Sequence, residues 1–363
     1  MKILIATGIY PPEIGGPATY AGLLSEELKR RGEQVIVLPF RDVRKYPKIF
    51  RHLIYFLKVV SVSKGVDLIF TQDPVSTGIP VILAKFFTGK KVIMRVAGDY
   101  AWEQSVQRYG VKESIDDFQR KSYGGMIEIL RNLQKFSVRH ADVVVTPSQY
   151  FNRVVSAWLG GNKKIITIYN GINLDTHFDR NDKYDDRTII SAGRLVPWKG
   201  FDMLITAIKD MPGWRLIIAG DGPDKVRLEA LAEELDVASR VELVGQLPRS
   251  ELLAMIHRSH IFALLSTFES FSFQIVEAMS VGTPVIATHI GNISEIVEDG
   301  KSGVLIEPGN IEMFKNTVEK IGADKAFSEM ISKEGESRAS QFSITRTMDQ
   351  LYGIFKDLIK SRP

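Results

Sequence analysis

Residues 187–194, RTIISAGR, and residues 214–222, WRLIIAGDG, decide the fold. Each is a short apolar run that ends on glycine. Such a run, bounded by turn residues, reads as a buried strand. RVELVG, IFALLS and TPVIAT continue the theme downstream, with helical segments such as Lys225–Leu235 and Ser250–His257 between them. Upstream, the same alternation begins with KILIAT at Lys2–Thr7. A glycine-bearing loop follows, Gly8 to Gly16, then a helical stretch from about Pro17 to Arg31 stopped by Gly32. QVIVLPF, DLIFTQ, KVIMRV and DVVVTP are the further strands of this half. Strands alternating with helices predict an α/β fold with parallel sheets covered on both faces. The pattern starts twice, so two Rossmann-like domains are expected in 363 residues.

The expected boundaries are 1–170 for the N-terminal domain, 171–343 for the C-terminal domain and 344–363 for a last helix that packs back on the N-terminal domain. The stretch from Asn170-Gly171-Ile172 to Asp186 is polar and turn-rich and reads as the linker. Ligands of open parallel sheets bind at the carboxyl ends of the strands. Two such domains facing each other across a cleft suit an enzyme that joins two substrates.

Composition narrows the chemistry. There is no cysteine, which removes disulfides, thiolate metal sites and cysteine nucleophiles. No run of about 18 apolar residues suggests a membrane span. The first residues, MKILIATGIY, lack the pattern of a signal peptide, so a cytoplasmic enzyme is the expectation. The six histidines show no metal-ligand spacing and no Asp-x-Asp occurs, so no metal is expected. The formal charge of +4 is unevenly spread: 25 Lys and Arg against 14 Asp and Glu precede Gly171, and 22 against 29 follow. A basic half of this kind suggests an anionic surface, either membrane or nucleic acid, or else a scatter of solvated lysines. Nucleic acid is not expected, because stacking motifs and a helix-turn-helix signature are missing.

Two motifs carry the chemistry. The first is ESFSFQIVEAM, Glu269 to Met279. Glu269 falls in the loop after the strand IFALLS, and Glu277 about one turn inside the following helix. The helix N-terminus between them offers unpaired N–H groups and a positive dipole end, which suit a phosphate. Each carboxylate is placed to accept hydrogen bonds from sugar or ribose hydroxyls, although a strand-end acid and an ordinary helix-surface glutamate would look the same. The second is GRLVPWKG, Gly193 to Gly200. Its Arg194 and Lys199 stand in a loop stiffened by proline, tryptophan and glycine. Arginine forks two phosphate oxygens and lysine adds a compact charge; a solvated basic turn is the alternative. The glycines Gly15 and Gly16 let backbone approach a ligand closely, without forming the GxGxxG fingerprint.

Together these motifs resemble the retaining glycosyltransferases of the large GT-B class, family four of the usual classification. The resemblance spans almost the whole chain: Gly15-Gly16, Asn170-Gly171-Ile172, GRLVPWKG, the AGDGP turn at Ala219–Pro223, the glutamate pair and TPVIAT. It implies a nucleotide-sugar donor, with Arg194 and Lys199 on its diphosphate, Glu269 on its sugar and Glu277 on its ribose. Amides near Phe271, Ser272 and Phe273 would hold phosphate and sugar. It places Gly15 and Gly16 at the cleft floor, near the donor phosphate and the acceptor, where a plain strand-to-helix turn is the alternative reading. It implies transfer of a hexose-type sugar to a glycan, lipid-linked or small-molecule acceptor with retention, without cofactor or metal. One departure stands out. Many relatives have a His-Asp pair after the strand matching KVIMRV, and here Gly98-Asp99 stands in its place. Asp99 then either meets the acceptor hydroxyl or caps the next helix. A sugar-nucleotide epimerase of the same architecture is the alternative function, and a glycoside hydrolase would use paired carboxylates without a phosphate clamp.

One stretch remains, Arg41–Lys64, RDVRKYPKIFRHLIYFLKVVSVSK. It reads as a basic amphipathic helix that either lies on an anionic membrane or packs its aromatic face on the sheet.

Overall fold

The computed structural model describes all residues except 14, 162, 175–177, 179–181, 183, 185, 186 and 361–363. Much of the expected linker 170–186 lies outside the described residues. The chain forms two compact units, Met1–Asn170 with Ile344–Pro363, and Gly171–Ser343.

The first unit is a six-stranded sheet of β1 (Lys2–Thr7), β2 (Gln34–Pro39), β3 (Leu68–Thr71), β4 (Lys91–Arg95), β5 (Val143–Thr146) and β6 (Ile165–Thr167). The order is β2-β1-β3-β4-β5-β6 and every pairing is parallel. Strands buried on both faces need continuous apolar runs rather than alternation. Ile3, Leu4 and Ile5, then Leu68, Ile69 and Phe70, are accordingly buried without a break. The last helix, Ile344–Lys360, belongs to this unit. It buries Met348, Leu351 and Phe355, with the Phe355 ring edge-on to Phe70 at 5.9 Å. Arg31 pairs with Asp349 at 2.7 Å, and the Tyr352 hydroxyl donates to Glu33 at 2.5 Å.

The second unit holds β7 (Thr188–Ala192), β8 (Arg215–Ala219), β9 (Val241–Gly245), β10 (Ile261–Leu264), β11 (Val285–Thr288) and β12 (Val304–Ile306). Their order is β12-β11-β10-β7-β8-β9, again all parallel. Its core is built from Ile189, Leu216, Ile218, Ile261, Ala263 and Ile286 on the sheet, covered by Phe201, Leu204, Ile208 and Trp214. Each large apolar side chain fully buried there contributes about 1.5–3 kcal/mol.

In both units the strand order reverses at one place, between β1 and β3 in the first and between β7 and β10 in the second. At such a point the connections leave toward opposite faces of the sheet, so the loops diverge and leave a crevice. The loops after β1, β3, β7 and β10 are therefore where ligands are expected.

One segment differs from its sequence reading. A single helix across Arg41–Lys64 does not form. A 3-10 turn spans Phe40–Val43, and the helix proper is Lys48–Ser63. Pro47 causes the break, because proline disfavours the helical conformation of the residue before it.

Candidate functional site

In the second unit, the sequence-predicted site residues gather at the reversal between β7 and β10. Lys199 ends the 3-10 turn Pro197–Lys199 that follows β7. Its Nζ lies 2.5 Å from Glu269 Oε1, in the loop after β10. Ser266 Oγ donates to the same Glu269 oxygen at 2.9 Å. Both members of the ion pair are largely buried. Glu269 thus has one oxygen held by two donors. Lys199 keeps two of its three donors for other acceptors. Arg194, in the same β7 loop, is exposed, and among the described residues nothing engages its guanidinium.

Glycines allow these loops to touch. Gly200 has φ +70°, and a Cβ on it would lie 2.1 Å from the Leu265 carbonyl oxygen. A Cβ on Gly220, after β8, would lie 1.9 Å from the carbonyl oxygen of Gly193. Backbone bonds complete the joint: Thr267 N–H donates to Trp198 O at 2.8 Å, and Leu195 N–H to Asp221 O at 3.0 Å. Three strand-end loops are locked together by main chain, which gives the side chains above them a rigid base.

The helix Phe273–Ser280 opens directly on this base. Ser272 caps it, its Oγ accepting from Ile275 N–H at 3.3 Å. Among the described residues, no acceptor meets the amides of Phe273 and Gln274. Phe271 and Phe273 are buried and pack edge-on at 5.7 Å, which fixes the chain entering the helix. Glu277 sits one turn in and is only 6% exposed. Arg249 Nε donates to Glu277 Oε1 at 2.7 Å, and a second Arg249 nitrogen donates to Asn173 O at 3.0 Å. Burial raises the Glu277 carboxyl above the ordinary glutamate value, and Arg249 pulls it partly back. Arg249 and Ser266 were not found in the sequence. Arg249 is 28 residues from Glu277 along the chain, and only the packing of helix Arg249–Arg258 against helix Phe273–Ser280 makes them neighbours.

In the first unit, Gly15 takes φ +140° before the helix Gly16–Arg30, and Gly16 is that helix's first residue. Asp99 is fully buried. It caps the helix Tyr100–Tyr109 by accepting from Trp102 N–H at 3.0 Å, and it also accepts from Gln119 at 2.8 Å and Gln134 at 3.0 Å. Of the two roles open to Asp99 in the sequence, capping is what its side chain does. Three donors hold the carboxylate in that role. At Gly98 a Cβ would meet the Glu103 carboxylate at 2.5 Å, so a larger residue there needs Glu103 to move.

A carboxylate that the sequence did not single out stands at this unit's own reversal point. Asp73 follows β3, and its Oδ1 accepts from Val75 N–H at 2.6 Å and Ser76 N–H at 2.7 Å. Its Oδ2 faces Gly8 at the end of β1. Burial raises its carboxyl, against the pull of those two amides. In the same unit, Arg95 stacks on the Tyr20 ring at 3.9 Å and donates to Asn170 at 2.7 Å and Gln72 at 3.3 Å. Burial lowers the Arg95 guanidinium to about 10.

Among the described residues, no group of His, Asp and Glu is arranged to hold a metal ion, and no helix is long and apolar enough to cross a membrane.

Two parallel doubly wound sheets form a scaffold of two Rossmann-like units, and the second carries basic and acidic groups at its reversal point. The family comparisons agree. The model of group 1 glycosyl transferases matches residues 174–338, and that of glycosyltransferase family 4 matches residues 14–176. The chain belongs to the group 1 glycosyltransferases and has the GT-B fold. It is 25% identical over 388 aligned positions to N-acetyl-alpha-D-glucosaminyl L-malate synthase of Bacillus anthracis, covering 99% of this chain and 98% of that one. Among solved structures, sucrose-phosphate synthase of Thermosynechococcus elongatus superposes with a TM-score of 0.84 at 20% identity, over all of both chains. Anabaena HepE in complex with UDP-glucose gives 0.76 at 22% identity, covering 98% of this chain and 100% of that one. The epimerase alternative finds no support among these relatives and is set aside.

Proposed function

We propose that this glycosyltransferase moves a hexose-type sugar from a UDP- or GDP-sugar to an acceptor hydroxyl, with retention at the anomeric carbon. The observation that carries this reading is the Lys199–Glu269 pair at the β7–β10 reversal, beside the open amides of Phe273 and Gln274. The donor diphosphate lies against Lys199, Arg194 and those amides, and its sugar hydroxyls reach the free oxygen of Glu269. Glu277 accepts from the ribose hydroxyls, oriented by Arg249. As the bond from the anomeric carbon to phosphate breaks, its electron pair stays on the leaving nucleotide. The fixed cations and helix dipole stabilise that charge without reorganising, which is the efficient form of electrostatic catalysis. Two cationic side chains supply what a divalent ion would otherwise supply, so activity is proposed to be metal-independent. Retention rests on the family to which the chain belongs.

HepE is in complex with UDP-glucose, which supports a nucleotide-sugar donor for this chain. The acceptor, a glycan, a lipid-linked molecule or a small molecule, is proposed to reach the first unit's reversal point. Asp73 Oδ2 and the backbone of Gly8, Gly15 and Gly16 would receive it there. Thermal-shift screening of UDP- and GDP-sugars, followed by product analysis with and without EDTA, tests the reading. One sugar nucleotide should raise the melting temperature, since a ligand that binds only the folded state stabilises it. Transfer should survive EDTA with the anomeric configuration kept. An inverted product, or activity lost in EDTA and restored by Mg²⁺, would overturn the finer assignment.

A further inference from the structure

Three neighbouring helices of the first unit, Lys48–Ser63, Gly78–Thr88 and Gly125–His140, leave apolar side chains in water. On the first, Phe50 (59% exposed), Leu53 and Leu57 form a stripe at helical spacing, while Tyr55 and Val59 take the inward positions. On the second, Leu83, Phe86 and Phe87 are exposed, Phe87 by 76%. On the third, Met126, Ile129 and Phe136 repeat the stripe. The stripes belong to one face. The helices pack side by side in that order, and aromatic contacts join them: Phe56 to Phe87 at 5.7 Å, Phe86 to His140 at 5.5 Å. Soluble monomers rarely expose a contiguous apolar patch of this kind without a partner.

Charge identifies the partner. The first two helices contain no aspartate or glutamate, and the third contains only Glu128, which is paired with Arg131 at 2.8 Å. The same three helices carry seven lysines and arginines. Among them Lys58 and Arg139 are exposed, and no ion pair engages either among the described residues. Aromatic and aliphatic side chains that enter the headgroup boundary, with the exposed cations Lys58 and Arg139 on the same helices, match an anionic bilayer surface. A protein partner or a second copy of the chain would have to be acidic at this face to match it, and the second unit's apolar exposure is scattered.

We propose that this three-helix face docks the enzyme peripherally on an anionic membrane. The full chain is tested by flotation with phosphatidylcholine vesicles of rising phosphatidylglycerol content. Binding should rise with the anionic fraction and fall with added salt, because exposed charge interactions are screened. Leu57→Glu with Phe87→Glu should lower partitioning about tenfold or more. Lys58→Glu with Arg139→Glu, which touches no apolar contact, should lower it about tenfold. Val226→Glu, in the second unit, should leave it unchanged. Circular dichroism and melting temperature verify that each variant is folded. No binding to any vesicle at low salt overturns the proposal. So does equal binding to neutral vesicles. Self-association of the chain abolished by the same variants, without vesicle binding, would assign the face to a second copy instead.

Discussion

The first unit carries 29 lysines and arginines against 16 aspartates and glutamates, and the second carries 18 against 27. Yet the candidate diphosphate site lies in the acidic unit. There, Lys199 and Glu269 are brought together by loops that glycine allows to interlock, ahead of a helix whose first amides are open. The basic unit spends its excess charge differently. Eleven of the fourteen exposed large apolar side chains among the described residues lie in it, and basic side chains share its helices. Net charge therefore reports the kind of surface a unit meets at long range, whereas anion recognition depends on placement within a few ångströms. The two units have the same doubly wound architecture, so the sheet itself does not make this difference. The strand-end loops and the outer helix faces do.

The largest effect that sharpens the contrast comes from glycine. Gly200→Ala forces a Cβ against the Leu265 carbonyl at a positive φ. It should destabilise the second unit by about 3 kcal/mol or more and abolish nucleotide binding. Gly89→Ala, also at positive φ but with nothing within 4 Å, should cost about 1 kcal/mol and leave nucleotide binding intact. Calorimetric melting with and without nucleotide distinguishes the two.

Next in size is Asp99. Asp99→Ala strands Trp102 N–H and the amides of Gln119 and Gln134. It should destabilise the first unit by about 2 kcal/mol, the range of a lost cap with buried donors unpaired. Nucleotide affinity should remain that of the wild type. Transfer to the acceptor slowed about a hundredfold or more at saturating acceptor, in folded protein with wild-type nucleotide affinity, would return Asp99 to the site.

The smallest effect concerns pH. Burial raises Glu277, so the folded chain keeps that proton to higher pH than the unfolded chain. The stability this contributes is present below the ordinary glutamate value and is lost as pH rises through the raised one. Binding runs the opposite way. The ionised carboxylate is the hydroxyl acceptor, so nucleotide affinity should fall as pH drops through that window. Arg249→Met removes the group that pulls Glu277 down and should move this fall to higher pH. Its stability cost should be only about 1 kcal/mol, because Arg249 is partly exposed. Affinity measured across pH for both proteins checks it, and Glu277→Gln should lose the dependence.

Much of this was legible in the sequence because the signals are local. The apolar runs of β1 and β7, the stop at Gly32 and the helix that follows IFALLS each follow from residues within one turn or strand. β6 and β12 were not read. Each is an edge strand of three residues, too short to show a run. The helix over Lys48–Ser63 was read too long, across Pro47. In the site, Arg194, Lys199, Glu269 and Glu277 fall in motifs, and the structure brings Lys199 to Glu269 across 70 residues of sequence. Arg249, Ser266 and Asp73 had no motif, since their roles arise from which strands become neighbours at a reversal point. The apolar face was only one-third visible. The basic stretch before Lys64 drew attention, but its continuation on two further helices is a property of packing.

The most direct test of the central claim is nucleotide titration by calorimetry against two variants, one from each unit. Lys199→Ala, confirmed as folded, should weaken UDP or GDP binding by about 2–4 kcal/mol, the scale of losing a charged partner of a buried phosphate. Asp73→Asn should leave nucleotide affinity unchanged while slowing transfer to the acceptor. Wild-type nucleotide affinity in Lys199→Ala, or its loss in Asp73→Asn, would contradict the placement of the donor at the ends of β7 and β10.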